Sequence, residues 1–331
     1  MSAIITDQLR ILNCENFTAG VASTSNSYYA WIGLPNASDF QSDWDSNPPA
    51  PKDAFSEEND YWDTMIALKK INAADISRVV RKIDWTSGTT YEMYRDDYSR
   101  SNISPQTSST TLYDANYYVM NQDYRVYICL QNGTNPENTE GRPSLDEPLF
   151  TDLEPRSAGA SGDGYVWKYL FTINPNQLIK FDSTSFIPLP ADWKTSSDVA
   201  AVRNNATTSG QLKIVTITGR GVGYGTAATY NNVPLLGDGQ GGKCSVVVNA
   251  AGKIDSVEVT SGGSEYTFAN VGLANVGLNN PAGSTDASFS VIIPPEGGHG
   301  ADVYKELGGN RSLIYSRIEN DSTNPDFITG N

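Results

Sequence analysis

Histidine is almost missing from this chain: His299, held between Gly298 and Gly300, is the only one in 331 residues. That excludes metal centres built on clustered imidazoles and leaves any Ser–His–Asp relay dependent on a glycine-flanked loop residue. The surroundings of a nucleophile elbow are absent as well. Cysteine is nearly as scarce. Cys14, Cys129 and Cys244 are odd in number, far apart and without a CxxC pair, which argues against a disulfide framework and suits a reducing compartment. Cys129 sits in a strand-like run and Cys244 ahead of a valine run, so both read as small core residues. Positive charge is short too: 23 Lys and Arg against 38 Asp and Glu give a net charge of −15. A phosphate backbone needs a cationic face, so nucleic acid is not an expected partner, and the acidic surface reads as solvated or as steering basic partners. No run approaches the roughly 18 apolar residues of a membrane span, and Met1–Leu12 lacks the basic start and apolar run of a secretion signal. The expectation is a soluble chain made in the cytoplasm, with no membrane contact and no cofactor.

What remains is polar, small and aromatic. Charged residues make up 18% and hydrophobic ones 38%, with 29 Gly, 17 Pro and 18 Tyr. Such a chain is neither disordered nor fibrous, and its turn formers and aromatics predict a mainly β fold with long loops. Its length allows one large or two medium domains.

Met1–Phe55 offers short β-like runs at Ile4–Ile5 and Tyr28–Leu34 joined by a Ser/Thr/Asn loop, then Pro48–Pro51, too proline-rich for a helix or central strand. Asp43, Asp45 and Asn47 take alternate positions of a calcium loop. Pro48 stands where the sharp-turn glycine belongs and no Glu closes the loop, so no metal site is expected. Tyr61, Met65 and Leu68 behind Asn59 have helical spacing and predict a short amphipathic helix over 59–71. In Asn72–Ile83 the pattern Ile76, Val79, Val80, Ile83 is weakened as a helix by its β-branched residues, which leaves the choice open; Trp85 would anchor its end in the core. Arg78, Arg81 and Lys82 are the densest basic group. They are a candidate interface for an acidic neighbour, the commoner alternative being a solvated face. Tyr91–Tyr98 and Leu112–Gln131 continue the aromatic alternation, with Tyr124, Val126, Ile128 and Leu130 on one face of the best strand. Asn132–Gly159 lacks periodicity, and a loop of that length is usually functional or mobile, a natural arm for a neighbour in an assembly. Its Asn132-Gly-Thr134 sequon carries no meaning in a chain that is not secreted.

The chain can be arranged around Ser161–Ile173, SGDGYVWKYLFTI. Gly162, Asp163 and Gly164 form a turn that tolerates positive φ and feeds a strand. One face of that strand carries Tyr165, Trp167, Tyr169, Phe171 and Ile173, read as structural core; the other carries Val166, Lys168, Leu170 and Thr172, a mixed face. The segment resembles the GDGYVW-x-YLF stretch of the gene-eight baseplate wedge proteins of T-even-type contractile-tailed phages. Weaker likenesses follow in the same order: Tyr29–Pro35 (YAWIGLP), Trp44–Pro51 (WDSNPPAP), Asn59–Met65 (NDYWDTM), Arg81–Trp85 (RKIDW) and Tyr124–Leu130 (YRVYICL). Together they span roughly Tyr28 to Pro190. The resemblance implies a layered β-sandwich with helix-bearing loops, a homodimer in each wedge, contacts to other wedge proteins and a place in the virion's tail baseplate.

Composition shifts after Ile187–Pro190. Ser209–Pro294 is dominated by Gly, Ala, Val, Thr and Asn, and Val215, Ile217, Thr218, Gly221 and Tyr224 match Val257, Val259, Thr260, Gly263 and Tyr266. Two copies of a strand, glycine turn and tyrosine predict a small Gly-rich β-sandwich module. The expected division is therefore a main body over 1–203, an inserted module over 204–295 and a return to the body over 296–331. Gly237, Gly239 and Gly242 fit G-x-G-x-x-G, but Cys244–Val248 reads as strand where a dinucleotide site needs a helix. With 38 acidic residues some close carboxylate pair is inevitable, and nothing singles one out for glycoside hydrolysis. A structural subunit acting through interfaces, not an enzyme, is the expected function. The alternative is a carbohydrate-binding or glycan-cleaving protein using the Gly-rich module, with a host glycan as partner.

Overall fold

The computed structural model describes residues 6–33, 46, 62, 65–206, 208–279, 281–321, 323 and 326–327. Strand accounts for 34% and helix for 15%, so the chain is mainly β, built from several antiparallel sheets. Ile4–Ile5, the calcium-loop candidates Asp43, Asp45 and Asn47, Pro48–Pro51, and most of Trp44–Pro51 and Asn59–Met65 lie outside the described residues.

The chain opens with a helix that the sequence reading did not expect, α1 (Asp7–Ala22). Thr6 caps it, its Oγ1 accepting from Leu9 N at 3.2 Å, and Asp7 suits the positive end of the helix dipole. Ile11, Cys14 and Val21 are buried while Leu9, Leu12 and Phe17 stay exposed, so no single apolar stripe advertises the helix. β1 (Tyr28–Gly33) then pairs antiparallel with β2 (Met65–Ile71). Of the helix expected over 59–71, Trp62 is helical, whereas Met65–Ile71 is a strand. Burial alternates, with Ala67 and Ile71 inside and Ile66 and Lys70 outside, and this period of two overrides the spacing of Tyr61, Met65 and Leu68.

Two three-stranded sheets build the body. In one, β3 (Ile76–Arg81) lies between β14 (Arg311–Ile314) and β7 (Phe186–Pro188); in the other, β5 (Arg125–Asn132) lies between β4 (Tyr118–Met120) and β6 (Tyr165–Thr172). Just past β3, Trp85 N donates to Met120 O and Met120 N to Ile83 O, each at 2.8 Å, which joins the chain leaving β3 to the β4 edge of the other sheet. Val126, Tyr127, Ile128, Cys129 and Leu130 are all fully buried, so β5 is covered on both faces. Tyr124 does not extend that strand: its φ is +58° and it is exposed, in the turn before β5. Tyr91–Tyr98 is not a strand either. It is irregular backbone whose Tyr91, Met93 and Tyr94 are buried and whose fully buried Glu92 accepts from Thr107 N at 2.9 Å and from Asn116 N at 2.5 Å. Helix α2 (Pro175–Phe181) starts at an Asn174 cap and Pro175, and α3 (Ala200–Asn205) leads to the module.

The module holds β8 (Val215–Arg220), β9 (Ala228–Gly237), β10 (Gln240–Val248), β11 (Ile254–Ser264), β12 (Ala269–Val271) and β13 (Ala287–Val291). Four strands form the sheet β11-β10-β9-β12 and two form β13-β8. Its core is a cluster of its own, Leu212 to Leu278, distinct from the body's cluster of Val80 to Leu307. The internal repeat is physical. Gly221 (φ +58°) and Gly263 (φ +63°) each sit one residue past the partner of a paired strand, Arg220 opposite Ala287 and Gly262 opposite Gly242. The tyrosine three residues on returns its hydroxyl to that same strand: Tyr224 Oη accepts from Ala287 N at 2.7 Å and Tyr266 Oη from Gly242 N at 3.1 Å. A Cβ at either glycine would come within 2.7 or 2.8 Å of its own tyrosine ring, so only glycine admits the turn. After β13, a short helix α4 (Val303–Glu306) precedes β14.

Candidate functional site

Tyr165, Trp167 and Phe171 are buried to within 1% exposure, as the alternation of β6 predicts. Trp167 stacks on Tyr165 with centroids 5.3 Å apart and meets Tyr91 edge-on at 5.9 Å. The alternation then fails. Register shifts at Val126/Tyr127 and Cys129/Gln131 break the β5–β6 ladder, so Leu170 and Phe171 are both buried and Tyr169 is only half-buried. Trp85 is also half-buried, packing on the core while its indole N–H donates to Ser144 Oγ at 3.0 Å. The turn before β6 is as the sequence suggests: Gly162 and Gly164 have φ of +71° and +87°. A Cβ on Gly164 would lie 2.7 Å from Gly133 Cα, so two loops meet where neither tolerates a side chain. Asp163 binds Tyr165 N through Oδ1 at 3.0 Å and Leu145 N through Oδ2 at 2.9 Å. The long loop is thereby laid along the body rather than held out as an arm.

The cations of the basic group bond within their own chain. Arg78 stacks on the Tyr304 ring at 3.8 Å and faces Glu15. Arg81 donates to Ala115 O at 2.8 Å and Asn116 Oδ1 at 3.2 Å, and Lys82 pairs with Asp182 at 3.0 Å. Both faces of β3 are covered, so its cations are drawn inward to satisfy loop carbonyls and carboxylates. Cys14, Cys129 and Cys244 are free and buried, and burial pushes all three thiols up. Asn132 of the sequon is buried, its amide donating to Tyr91 O at 2.9 Å.

Polar chemistry gathers instead along the seam between body and module, a feature with no sequence signature. Lys168, 3% exposed, donates to Leu153 O at 2.7 Å and Asn205 Oδ1 at 3.0 Å; burial pushes its ammonium pKa down, against the pull of Glu306 and Glu154. Nearby, Glu306 accepts from His299 Nδ1 at 2.6 Å and from Gly300 N at 2.7 Å, with Tyr94 edge-on to the imidazole at 4.7 Å. The void beside His299 and Lys168 is about 10 Å³, room for roughly one water and for no substrate. Lys168 thus ties Leu153 and Asn205 to β6, and Glu306 closes the loop that carries His299.

Two ion pairs cross the seam. Arg220 makes a bidentate pair with Glu137 at 2.7 and 2.9 Å while also donating to Ile254 O and Asp255 O. Lys213 meets Glu154 at 2.9 Å. Hydrogen bonds from Arg220 hold Glu137 below the usual carboxylate range, and those from Asn205 and Lys213 do the same for Glu154. A cleft of about 300 Å³ along the seam is lined from both sides, by Met93, Tyr98 and Asn102 of the body and Thr216, Thr218 and Ser290 of the module. Among the described residues no group of three or more His, Cys, Asp or Glu is placed to hold a metal ion, and no helix is long and apolar enough to cross a membrane. Gly237, Gly239 and Gly242 span the β9–β10 hairpin and are followed by strand, so they do not make a dinucleotide turn. No protein-family model matches the chain, and no curated protein matches it.

Proposed function

We propose that this chain is a structural subunit of a contractile phage tail, a baseplate wedge protein that works as a homodimer through interfaces with other wedge proteins rather than by a chemical step. The observation that carries the reading is spatial. Three of the segments whose wording resembles the gene-eight wedge family are far apart in sequence yet surround one aromatic core: 124–130 and 162–171 pair as β5 and β6, and 81–85 bonds to β4, the next strand, with Ile83 and Trp85 packed on the same cluster. Likeness confined to a single strand would say little; likeness spread over contacting segments is what a shared core requires. Large apolar side chains that stay exposed, among them Tyr29, Ile32, Leu145, Leu149, Ile179 and Phe268, offer material for contacts with neighbours. In a wedge such a subunit would hold partners in one arrangement before contraction and allow another after it.

Sedimentation equilibrium of the full chain at micromolar concentration tests the reading, with twice the chain mass of 35.8 kDa expected. A monomer at that concentration, or turnover of a polysaccharide abolished by a single carboxylate change, would overturn it.

A further inference from the structure

One of the clefts between body and module, that between Met93 and Thr216, is about 300 Å³ in volume and falls at the lower end of small-molecule sites. Its module wall is one face of the β13-β8 sheet, where Thr216 stands opposite Ser290. Its other wall comes from body loops that bring Met93, Tyr98, Asn102 and Asn135. Thr216 is 4% exposed, and its Oγ1 is buried without a hydrogen-bond partner. A buried hydroxyl left unpaired costs free energy unless something that enters the cleft satisfies it.

The wall chemistry selects the ligand. Both ionic side chains of the lining are already committed, Arg95 to Asp97 at 2.9 Å and Asp97 also to Asn102 at 2.7 Å, so no free charge awaits an ionic ligand. What faces the space is hydroxyl and carboxamide, groups that donate and accept together, beside the apolar surfaces of Met93, Tyr98 and Ile292. That combination suits a ring with hydroxyls on its edge and C–H groups on its face. We propose that the cleft is a binding site for a neutral saccharide, one or two hexose rings in size, with Thr216 Oγ1 bonding a sugar hydroxyl at its floor. The site needs both walls and so belongs to the full chain rather than to the module alone. It is independent of the assembly role, because a monomer with no place in a virion would bind the same sugars.

Saturation-transfer difference NMR on the full chain with the methyl glycosides of glucose, galactose and N-acetylglucosamine tests this. Transfer to ring protons of at least one glycoside at millimolar concentration is expected. Thr216→Val keeps the shape and removes the orphan hydroxyl, so it should fold at least as stably as the parent yet raise Kd by about fivefold, the loss of one hydrogen bond. Thr260→Val, on β11 away from the cleft, should leave binding unchanged. Absence of transfer from all three glycosides, or binding that Thr216→Val leaves untouched, would overturn the proposal; the cleft would then be only a gap where two cores meet.

Discussion

Tyr117, Tyr118, Tyr127, Tyr165, Trp167, Phe171 and Trp193 fill the body's core, whereas the module buries two tyrosines among Leu, Val, Ile and Cys. The aromatics of the body bring polar tips with them, and these reach distant backbone. Tyr127 Oη donates to Phe150 O, Tyr165 Oη to Arg142 O, Tyr117 Oη to Glu306 O and Trp193 Nε1 to Ala301 O, at 2.6 to 3.0 Å. Long loops with no ladder of their own are thus fixed by side chains rising from the core. In the module the same device is used twice in one form: Tyr266 Oη returns to β10 across the β10–β11 hairpin, and Tyr224 Oη to β13, the partner of β8, 63 residues further along the chain. The body is a web of staples that are each different; the module repeats one unit.

Removing one side chain from each core would test that contrast, and the body should show the larger effect. Trp167→Ala deletes a fully buried indole touching Tyr165 and Tyr91 and should cost about 3–5 kcal/mol. Followed by hydrogen exchange, the loss should appear in the amides of β5 and β6 while β10 and β11 keep their protection. Equal loss in both regions would make the chain one cooperative unit and dissolve the comparison.

In the module the sensitive positions are the two turn glycines. Gly221→Ala and Gly263→Ala each force an L side chain into positive φ, with a Cβ 2.5 Å from Ala287 N in one and 2.4 Å from Gln240 O in the other. Each should cost about 1–3 kcal/mol and, in urea unfolding followed in the module, the two values should agree. A large cost at one and none at the other would mean that the repeat is a coincidence of wording.

The contrast also explains what could be read from the sequence. The module's repeat was legible because strand, glycine and tyrosine lie within one short stretch and recur. The aromatic side of β6 was legible as far as Trp167, and lost at Tyr169 because the bulges depend on the facing strand β5. Helix α1 hid because its buried Ile11, Cys14 and Val21 alternate with exposed Leu9, Leu12 and Phe17. Lys168 looked like one residue of a half-wet face; its acceptors, Leu153 O and Asn205, come from segments that no local pattern ties to it. The intrachain partners of Arg78, Arg81 and Lys82 were hidden for a related reason, since charge density along a chain does not tell whether a strand is covered on both faces. The seam cleft drew on body loops and on the β13-β8 sheet at once, so no single stretch announced it.

The smallest expected effect lies at the seam, where the two regions meet through groups that titrate in opposite senses. Glu137 and Glu154 have folded pKa values below their ordinary one, held there first by hydrogen bonds from Arg220 in one case and from Asn205 and Lys213 in the other. Their contribution is complete above the ordinary carboxylate value and drains as pH falls through the lowered one. Asp96, which accepts from Ile293 N at 3.4 Å, is shifted upward by burial. The unfolded chain releases that proton first as pH rises, so Asp96 favours the folded state more as the solution is acidified through its window. On acidification the urea midpoint should therefore gain slightly from Asp96 just above the ordinary carboxylate range, then fall below it as Glu137 and Glu154 protonate. Asp96→Asn should remove the gain and leave the fall, while Glu137→Gln should make the fall shallower and leave the gain. If neither substitution changed the pH profile, the ion pairs would be bystanders and the two cores would be held together by Ile214 and Ile292 packing on the body alone.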